Sequence, residues 1–287
     1  MINFFLKFKN KNTNSRVIDV SEIKKSNKVL FCLFTRYGDT VIDLVVIKEF
    51  IEKYPTKKYL ILCPEQMLPL AETLLPNIKA INVNKRNLLQ MISVNKHLKQ
   101  WKPDVGFSPW SNGIDSCFFL SYCRNYFCYK DFVKPKNVNH YDVVRYYLQL
   151  DIPNMKVEHV KEIPEINKIL ICPESTDKSR SLSVSEVEIL IKKLKIEYNS
   201  DISFALSTFE NYKPVIEENF DTLILKKNYS STNNLIEKII ESDVVICCDS
   251  APLHLAIALK KNVYPIFKST NCETVINAGS KVLSFDL

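Results

Sequence analysis

The chain has 287 residues, 46% of them hydrophobic and 25% charged, with a formal net charge of +7. That length fits two ordinary domains or one large one, and the balance indicates a globular, soluble protein. The longest strand-like apolar runs, such as Val29-Leu30-Phe31-Cys32-Leu33-Phe34, fall well short of the ~18 residues a bilayer span needs, which excludes a transmembrane helix.

Residues 1–28 hold Lys7, Lys9, Lys11, Arg16, Lys24, Lys25 and Lys28 against Asp19 and Glu22. With Phe4, Phe5, Leu6 and Phe8 among them they read as a basic leader, either a solvated tail or a contact with an anionic membrane surface. No nucleic-acid-binding module accompanies the charge, so nucleic acid is not an expected partner. No small-residue cleavage site follows an apolar core, so no signal peptide is expected.

From residue 29 onward, β-branched runs alternate with helical patterns, as in a parallel sheet with crossover helices. Strands are predicted over 29–34, 58–63, 79–83 and 104–108, with helices over 40–54, 67–75, 86–101 and 112–121. The stretch from Tyr126 to Pro164 breaks the rhythm with Pro135, Pro153 and Pro164 around a short helical pattern at 141–150, and reads as a linker. The alternation restarts with strands over 168–172, 202–207, 222–225, 244–248 and 263–267, and helices over 184–198, 211–219, 232–241 and 252–260. Helix 184–198 is signalled by the capping box Ser183-x-x-Glu186 and by an apolar face of Val187, Leu190, Ile191 and Leu194. The pattern predicts two similar Rossmann-like α/β domains with parallel sheets facing a cleft.

The nine cysteines include no Cys-x-x-Cys pair, so zinc ribbons and redox pairs are unsupported. Several lie in predicted strands as small apolar side chains, which suggests a reducing, cytoplasmic setting. The four glycines form neither Gly-x-Gly-x-x-Gly nor a P-loop, which disfavours dinucleotide oxidoreductases and P-loop kinases. Phosphate must instead be held by helix ends, hydroxyls and cations.

Three strand-to-helix joints concentrate chemistry. After the first strand comes Thr35-Arg36-Tyr37-Gly38-Asp39-Thr40, where Thr40-x-x-Asp43 forms a capping box of its own. Thr40 then caps the helix, Gly38 allows a tight turn, and Asp39 is left either as a general base at the sheet edge or as a turn residue. At the second joint, Cys172-Pro173-Glu174-Ser175-Thr176-Asp177-Lys178-Ser179-Arg180-Ser181 interleaves hydroxyls with cations. Such a loop suits a diphosphate, with Arg180 bonding in bidentate fashion and Ser175 and Thr176 donating singly, or is an ordinary solvated loop. The third joint is Asp249-Ser250-Ala251-Pro252-Leu253-His254-Leu255-Ala256, where Ser250 is a candidate N-cap and Pro252 lies in the first turn. A helix N-terminus at the carboxyl edge of a sheet favours an anion, although strand, cap and helix also form the common joint of any α/β protein.

In order and spacing, Arg36-x-Gly38-Asp39, the hydroxyl-rich loop with Arg180-x-Leu182, and Asp249-Ser250-x-x-x-His254-Leu255-Ala256 resemble the landmarks of bacterial heptosyltransferase-type glycosyltransferases, glycosyltransferase family 9. The resemblance spans most of residues 29–270 and implies a GT-B fold. Residues 29–160 would form the acceptor-side domain, after the 1–28 leader, and residues 161–287 the nucleotide-sugar-binding domain. By the matched positions Asp39 would be the base, with Arg36 and Gly38 beside it on the acceptor side. Ser175, Thr176, Lys178 and Arg180 would hold the donor diphosphate, and Asp249, Ser250, Ala251 and His254 would border the donor. An anion repels a diphosphate, so Asp249 is expected to order the turn or bond a donor hydroxyl, while the Ser250 and Ala251 N–H groups contact phosphate.

The implied function is inverting, metal-independent transfer from a nucleotide-diphosphate sugar to a hydroxyl of a bacterial surface glycan, in lipopolysaccharide or capsule assembly. The chain has no Asp-x-Asp motif, and no metal or further cofactor is expected. The partners are the donor, a glycan or lipid-linked acceptor and an anionic membrane surface, with the protein cytoplasmic and peripheral on the inner face of the cytoplasmic membrane. The chain departs from the family at Ala251-Pro252, where glycine is usual, and at Leu182, where tryptophan is usual. The altered Asp249-Ser250-Ala251-Pro252 segment and the low glycine content motivate one alternative, an inactive GT-B-like protein that binds a glycan or partner. The shared architecture supports a weaker one, a nucleotide-sugar epimerase.

Overall fold

The computed structural model describes residues 20–110, 114–128, 138–160, 166–198, 203–208, 221–224, 226 and 228–283. The chain divides into two compact units, Met1–Val138 with Asp142–Ile152, and Asn139–Tyr141 with Pro153–Leu287.

In the first unit α1 (Val20–Lys25) leads into β1 (Lys28–Cys32), α2 (Tyr37–Lys53), β2 (Lys58–Cys63), α3 (Leu68–Leu74) and β3 (Lys79–Asn82). Then come α4 (Leu88–Trp101), β4 (Val105–Ser108), α5 (Ile114–Leu120) and β5 (Asn125–Cys128). The strands form a parallel sheet in the order β3-β2-β1-β4-β5. Val29 to Cys32 are all fully buried, which a strand covered by helices on both faces requires, and explains why β1 is apolar without alternation. The chain turns from β3 back past β1 to β4, which makes the carboxyl edge between β1 and β4 the topological switch point.

Helix α6 (His140–Tyr147) follows, its first two residues grouped with the second unit and the rest with the first. The second unit continues with β6 (Glu158–Val160), β7 (Lys168–Cys172), α7 (Val184–Tyr198), β8 (Ser203–Thr208) and β9 (Asp221–Ile224). It ends with α8 (Tyr229–Glu241), β10 (Val244–Cys248), α9 (Ala251–Ala258), β11 (Asn262–Ile266), α10 (Cys272–Val275) and β12 (Lys281–Leu283). Its main sheet is parallel in the order β11-β10-β7-β8-β9, the order of the first unit when counted from β7, and β12 pairs with β6 in a separate parallel ribbon.

Both units tie the starts of their central strands with the same clamp. Asp104, just before β4, accepts the N–H groups of Asn27 and Lys28 on Oδ2 at 2.9 and 3.0 Å. Asp243, just before β10, accepts those of Asn167 and Lys168 at 2.8 and 2.9 Å. In each case the acid's own N–H returns to the lysine carbonyl.

Several expectations from sequence change. Residues 20–28, read as part of a leader, belong to the folded unit: Ile23 of α1 is fully buried and β1 begins at Lys28. The stretch read as a linker carries structure because its aromatics have partners. Tyr126 and Phe127 are buried in β5, and Phe127 stacks on Tyr147 of α6 with ring centroids 4.4 Å apart. The Tyr147 hydroxyl donates to the Phe127 carbonyl and accepts from the Ser108 N–H at 3.0 Å. Residues 158–160, expected in the first domain, pair with β12 in the second unit. The helix expected over 211–219 lies outside the described residues. The α7 capping box forms, with the Ser183 N–H on Glu186 Oε2 at 2.6 Å and the Glu186 N–H on Ser183 Oγ at 3.3 Å.

Candidate functional site

In the second unit the candidate residues gather at the carboxyl ends of β7 and β10, neighbouring strands at the switch point of that sheet. After β7 the loop folds back on itself: the Leu182 N–H bonds the Pro173 carbonyl at 2.8 Å, and the Ser175 N–H donates to Ser181 Oγ at 2.9 Å. A single 3₁₀ turn, Lys178–Arg180, is capped by Asp177, which accepts from the Ser179 N–H at 3.0 Å. Hydrogen bonds from the Ser179 side chain and backbone, with the nearby Arg180 charge, hold the Asp177 carboxyl below its ordinary range.

That turn delivers Arg180 across to β10. Its Nη1 donates to Asp249 Oδ2 at 2.8 Å, and its Nε lies 3.7 Å from Asp177 Oδ2. Among the described residues Nη2 has no acceptor, so one arm of the guanidinium remains for a ligand. Asp249 is therefore the group that orients Arg180, a role that spacing alone did not reveal. Ser175 is buried, Thr176 is exposed, and Lys178 is exposed with Nζ 3.4 Å from the buried Glu174.

Ser250 occupies the N-cap of α9, but its hydroxyl does not cap: Oγ donates back to the Cys248 carbonyl at 3.1 Å. The first-turn N–H of Ala251 is left without an intrahelical acceptor, while Pro252 has none to offer. His254 is buried, with Nδ1 3.0 Å from the hydroxyl of Tyr141 on α6. Burial, only partly offset by the Asp249 charge, pushes its pKa down to about 4, so the ring is neutral at pH 7. Tyr141 carried no signal in the sequence because it stands 113 residues from its partner.

In the first unit the joint after β1 is shorter than expected. α2 starts at Tyr37 with Arg36 as an extended N-cap that makes no side-chain bond, so Gly38 and Asp39 fall inside the first helical turn rather than in a tight turn before it. The Thr40-Asp43 capping box does not form. Thr40 is fully buried and its Oγ1 lies 3.0 Å from that of Thr35, while Asp43 is fully buried with neither carboxylate oxygen hydrogen-bonded among the described residues. Burial first, and the Asp39 charge one turn earlier second, raise the Asp43 pKa well above the usual carboxylate range, which favours the neutral acid. Asp39 and Gly38 are partly exposed and Arg36 is exposed.

Among the described residues no group of three or more His, Cys, Asp or Glu side chains is placed to hold a metal ion.

No family model matches the sequence, and no curated protein does. Solved structures do match. The Escherichia coli ADP-heptose lipopolysaccharide heptosyltransferase II is similar with a TM-score of 0.66 at 13% identity, over 90% of each chain. A family 9 glycosyltransferase from Veillonella parvula gives 0.63 at 13% identity, over 96% of this chain and 89% of that one. The E. coli heptosyltransferase WaaC, solved with ADP-2-deoxy-2-fluoro heptose, gives 0.59 at 11% identity, over 90% of this chain and 92% of that one. Across both units, the chain has the GT-B fold of the heptosyltransferase-type glycosyltransferases.

Proposed function

We propose that this protein is an inverting glycosyltransferase that moves a sugar from a nucleotide-diphosphate donor to a hydroxyl of a bacterial surface glycan, of lipopolysaccharide or capsule type. The observation that carries the reading is the Arg180–Asp249 pair at the β7–β10 switch point, beside the N-terminus of α9. A carboxylate holding one arm of a guanidinium pre-orients the other, and fixed donors aimed at developing charge stabilise a leaving group without reorganising. The likeness in fold to proteins solved with ADP and ADP-heptose analogues supports the same class of donor.

In the reaction Asp39 accepts the proton of the acceptor hydroxyl, the acceptor oxygen bonds the anomeric carbon from the far side, and the bond from that carbon to the diphosphate breaks. The departing nucleotide diphosphate keeps the electron pair, and its charge is met by Arg180, Lys178, the hydroxyls of Ser175 and Thr176, and the N–H groups of Ser250 and Ala251. Those groups do the neutralising that a divalent cation does elsewhere, so transfer is expected to survive a chelator. We place the protein on the cytoplasmic side, in contact with an anionic membrane. Among the described residues no helix is long and apolar enough to cross one.

A second reading rests on Pro252, whose missing N–H removes one donor from the α9 turn: a non-catalytic protein that binds a glycan through the same residues. A panel of nucleotide sugars, assayed for thermal stabilisation and for transfer, separates the two. In Asp39→Ala transfer should fall by roughly 10²–10⁴-fold while donor binding persists. Near-normal turnover in that variant would remove the base assignment, and donor binding without any turnover in the parent protein would favour the second reading.

A further inference from the structure

At the amino edge of the first unit's sheet, opposite the edge that carries Asp39, lies a cavity of 470 Å³ lined by Lys28, Lys102 and Arg124 together with Asp104 and Tyr122. Its one acid is committed, since Asp104 Oδ2 takes the two backbone N–H groups of the clamp. Lys28 Nζ is anchored on the Trp101 carbonyl at 2.8 Å, which holds an ammonium at the wall. Lys102 and Arg124 are exposed, and among the described residues neither side chain has a hydrogen-bond or ion-pair partner, their backbone N–H groups bonding the Leu98 and Pro103 carbonyls.

The second unit supplies an internal control. Asp243 corresponds to Asp104 and Lys261 to Arg124, each by its place just before the equivalent strand, and Lys168 to Lys28 as the first residue of its strand. The carbonyl three residues before the acid is again bonded by a lysine, Lys261 Nζ to the Ile240 carbonyl at 2.9 Å. Two residues before the acid the charge reverses: Lys102 in the first unit, Glu241 in the second. Glu241 lies 3.9 Å from both Lys168 and Lys238. Lys28, Lys102 and Arg124 against Asp104 give the first unit's cavity a formal charge of +2, whereas in the second unit Lys168, Lys238 and Lys261 stand against two acids, Asp243 and Glu241, for +1. Burying a shared fold motif therefore does not require the larger charge; the clamp closes equally well with the smaller one.

We propose that this cavity binds the phosphate group of a phosphate ester. A guanidinium fork and two ammonium groups offer donors on several sides of a tetrahedral dianion, and the room exceeds that of a bare phosphate. The inference is independent of the glycosyl-transfer reading. The ester can be a soluble metabolite or the headgroup of a phospholipid, and the two sources separate by experiment.

The full chain carrying Arg180→Ala, which weakens the proposed donor site, is titrated with inorganic phosphate and glycerol phosphate by calorimetry, and sedimented with vesicles of phosphatidate or of phosphatidylcholine. Saturable binding of the soluble phosphates, weakened at least tenfold by Lys102→Glu and by Arg124→Gln, establishes the site with a soluble ligand. Binding to phosphatidate vesicles alone, lost in the same variants, establishes it with a headgroup. Both substitutions are on exposed side chains, and unchanged melting temperatures confirm that each variant folds. Absence of binding to every probe, or binding that both variants leave unchanged, overturns the proposal.

Discussion

The two units share a strand order and a clamp, and they differ at both edges of the sheet. After its first strand the first unit spends only residues 33–36 before α2, so a carboxylate, Asp39, rides on the helix's first turn. The second unit spends residues 173–183 before α7, and that longer loop carries hydroxyls and cations and ties Arg180 to the neighbouring strand. The difference teaches that the parallel sheet supplies only places, and that the length of the joint decides whether a helix turn or a loop side chain fills them. The units also bury ionisable groups of opposite sensitivity. Asp43 binds its proton more tightly folded than unfolded, and His254 less tightly.

Acid should set the two units apart most. His254 has a folded pKa of about 4, below the ~6.5 of an unfolded histidine, so the unfolded chain binds more protons and stability falls as pH drops from about 6.5 toward 4, by on the order of 3 kcal/mol. Glu186, held at about 2 by its bond from the Ser183 N–H and by Lys268, adds to the loss further down, below about pH 4. Limited proteolysis from pH 7 to 4 is expected to cut the second unit first; first cuts in the first unit would refute the contrast.

Arg180→Ala should be the next largest change, lowering donor affinity by about 1.5–3 kcal/mol and leaving the nearly buried Asp249 without its partner. Calorimetric titration with the donor checks it, and an unchanged affinity would detach Arg180 from the site. In the first unit Asp43→Asn should stabilise the protein at pH 7, since it removes a buried carboxyl whose charged form the fold penalises and the unfolded chain, ionising above ~3.9, does not. The gain should grow from pH 4 upward and vanish below it; denaturant melts at pH 3.5 and 8 read the difference. Smallest is Tyr141→Phe, which removes the bond to His254 at a cost of about 1 kcal/mol and should raise the His254 pKa little, because burial rather than that bond lowers it. Titration of the ring by NMR follows this directly.

The alternation of apolar strands and amphipathic helices was legible because burial on both faces of a parallel sheet leaves its imprint locally, residue by residue. Ser183-x-x-Glu186 and Thr40-x-x-Asp43 show where that legibility stops. Both have the capping signature, yet only the first caps, because α2 begins at Tyr37 and turns Thr40 and Asp43 into the core. The three joints with Asp39, Arg180 and Asp249 could be found from strand ends and hydroxyl or charged residues beside them. That Arg180 and Asp249 join, that Tyr141 meets His254, and that Lys102 stands where Glu241 stands in the other unit depend on pairings between distant segments. Local pattern therefore decided the elements and the edges at which chemistry gathers. Only the packed sheets, whose strand order brings segments 69 or 113 residues apart into contact, decided which side chains act on one another.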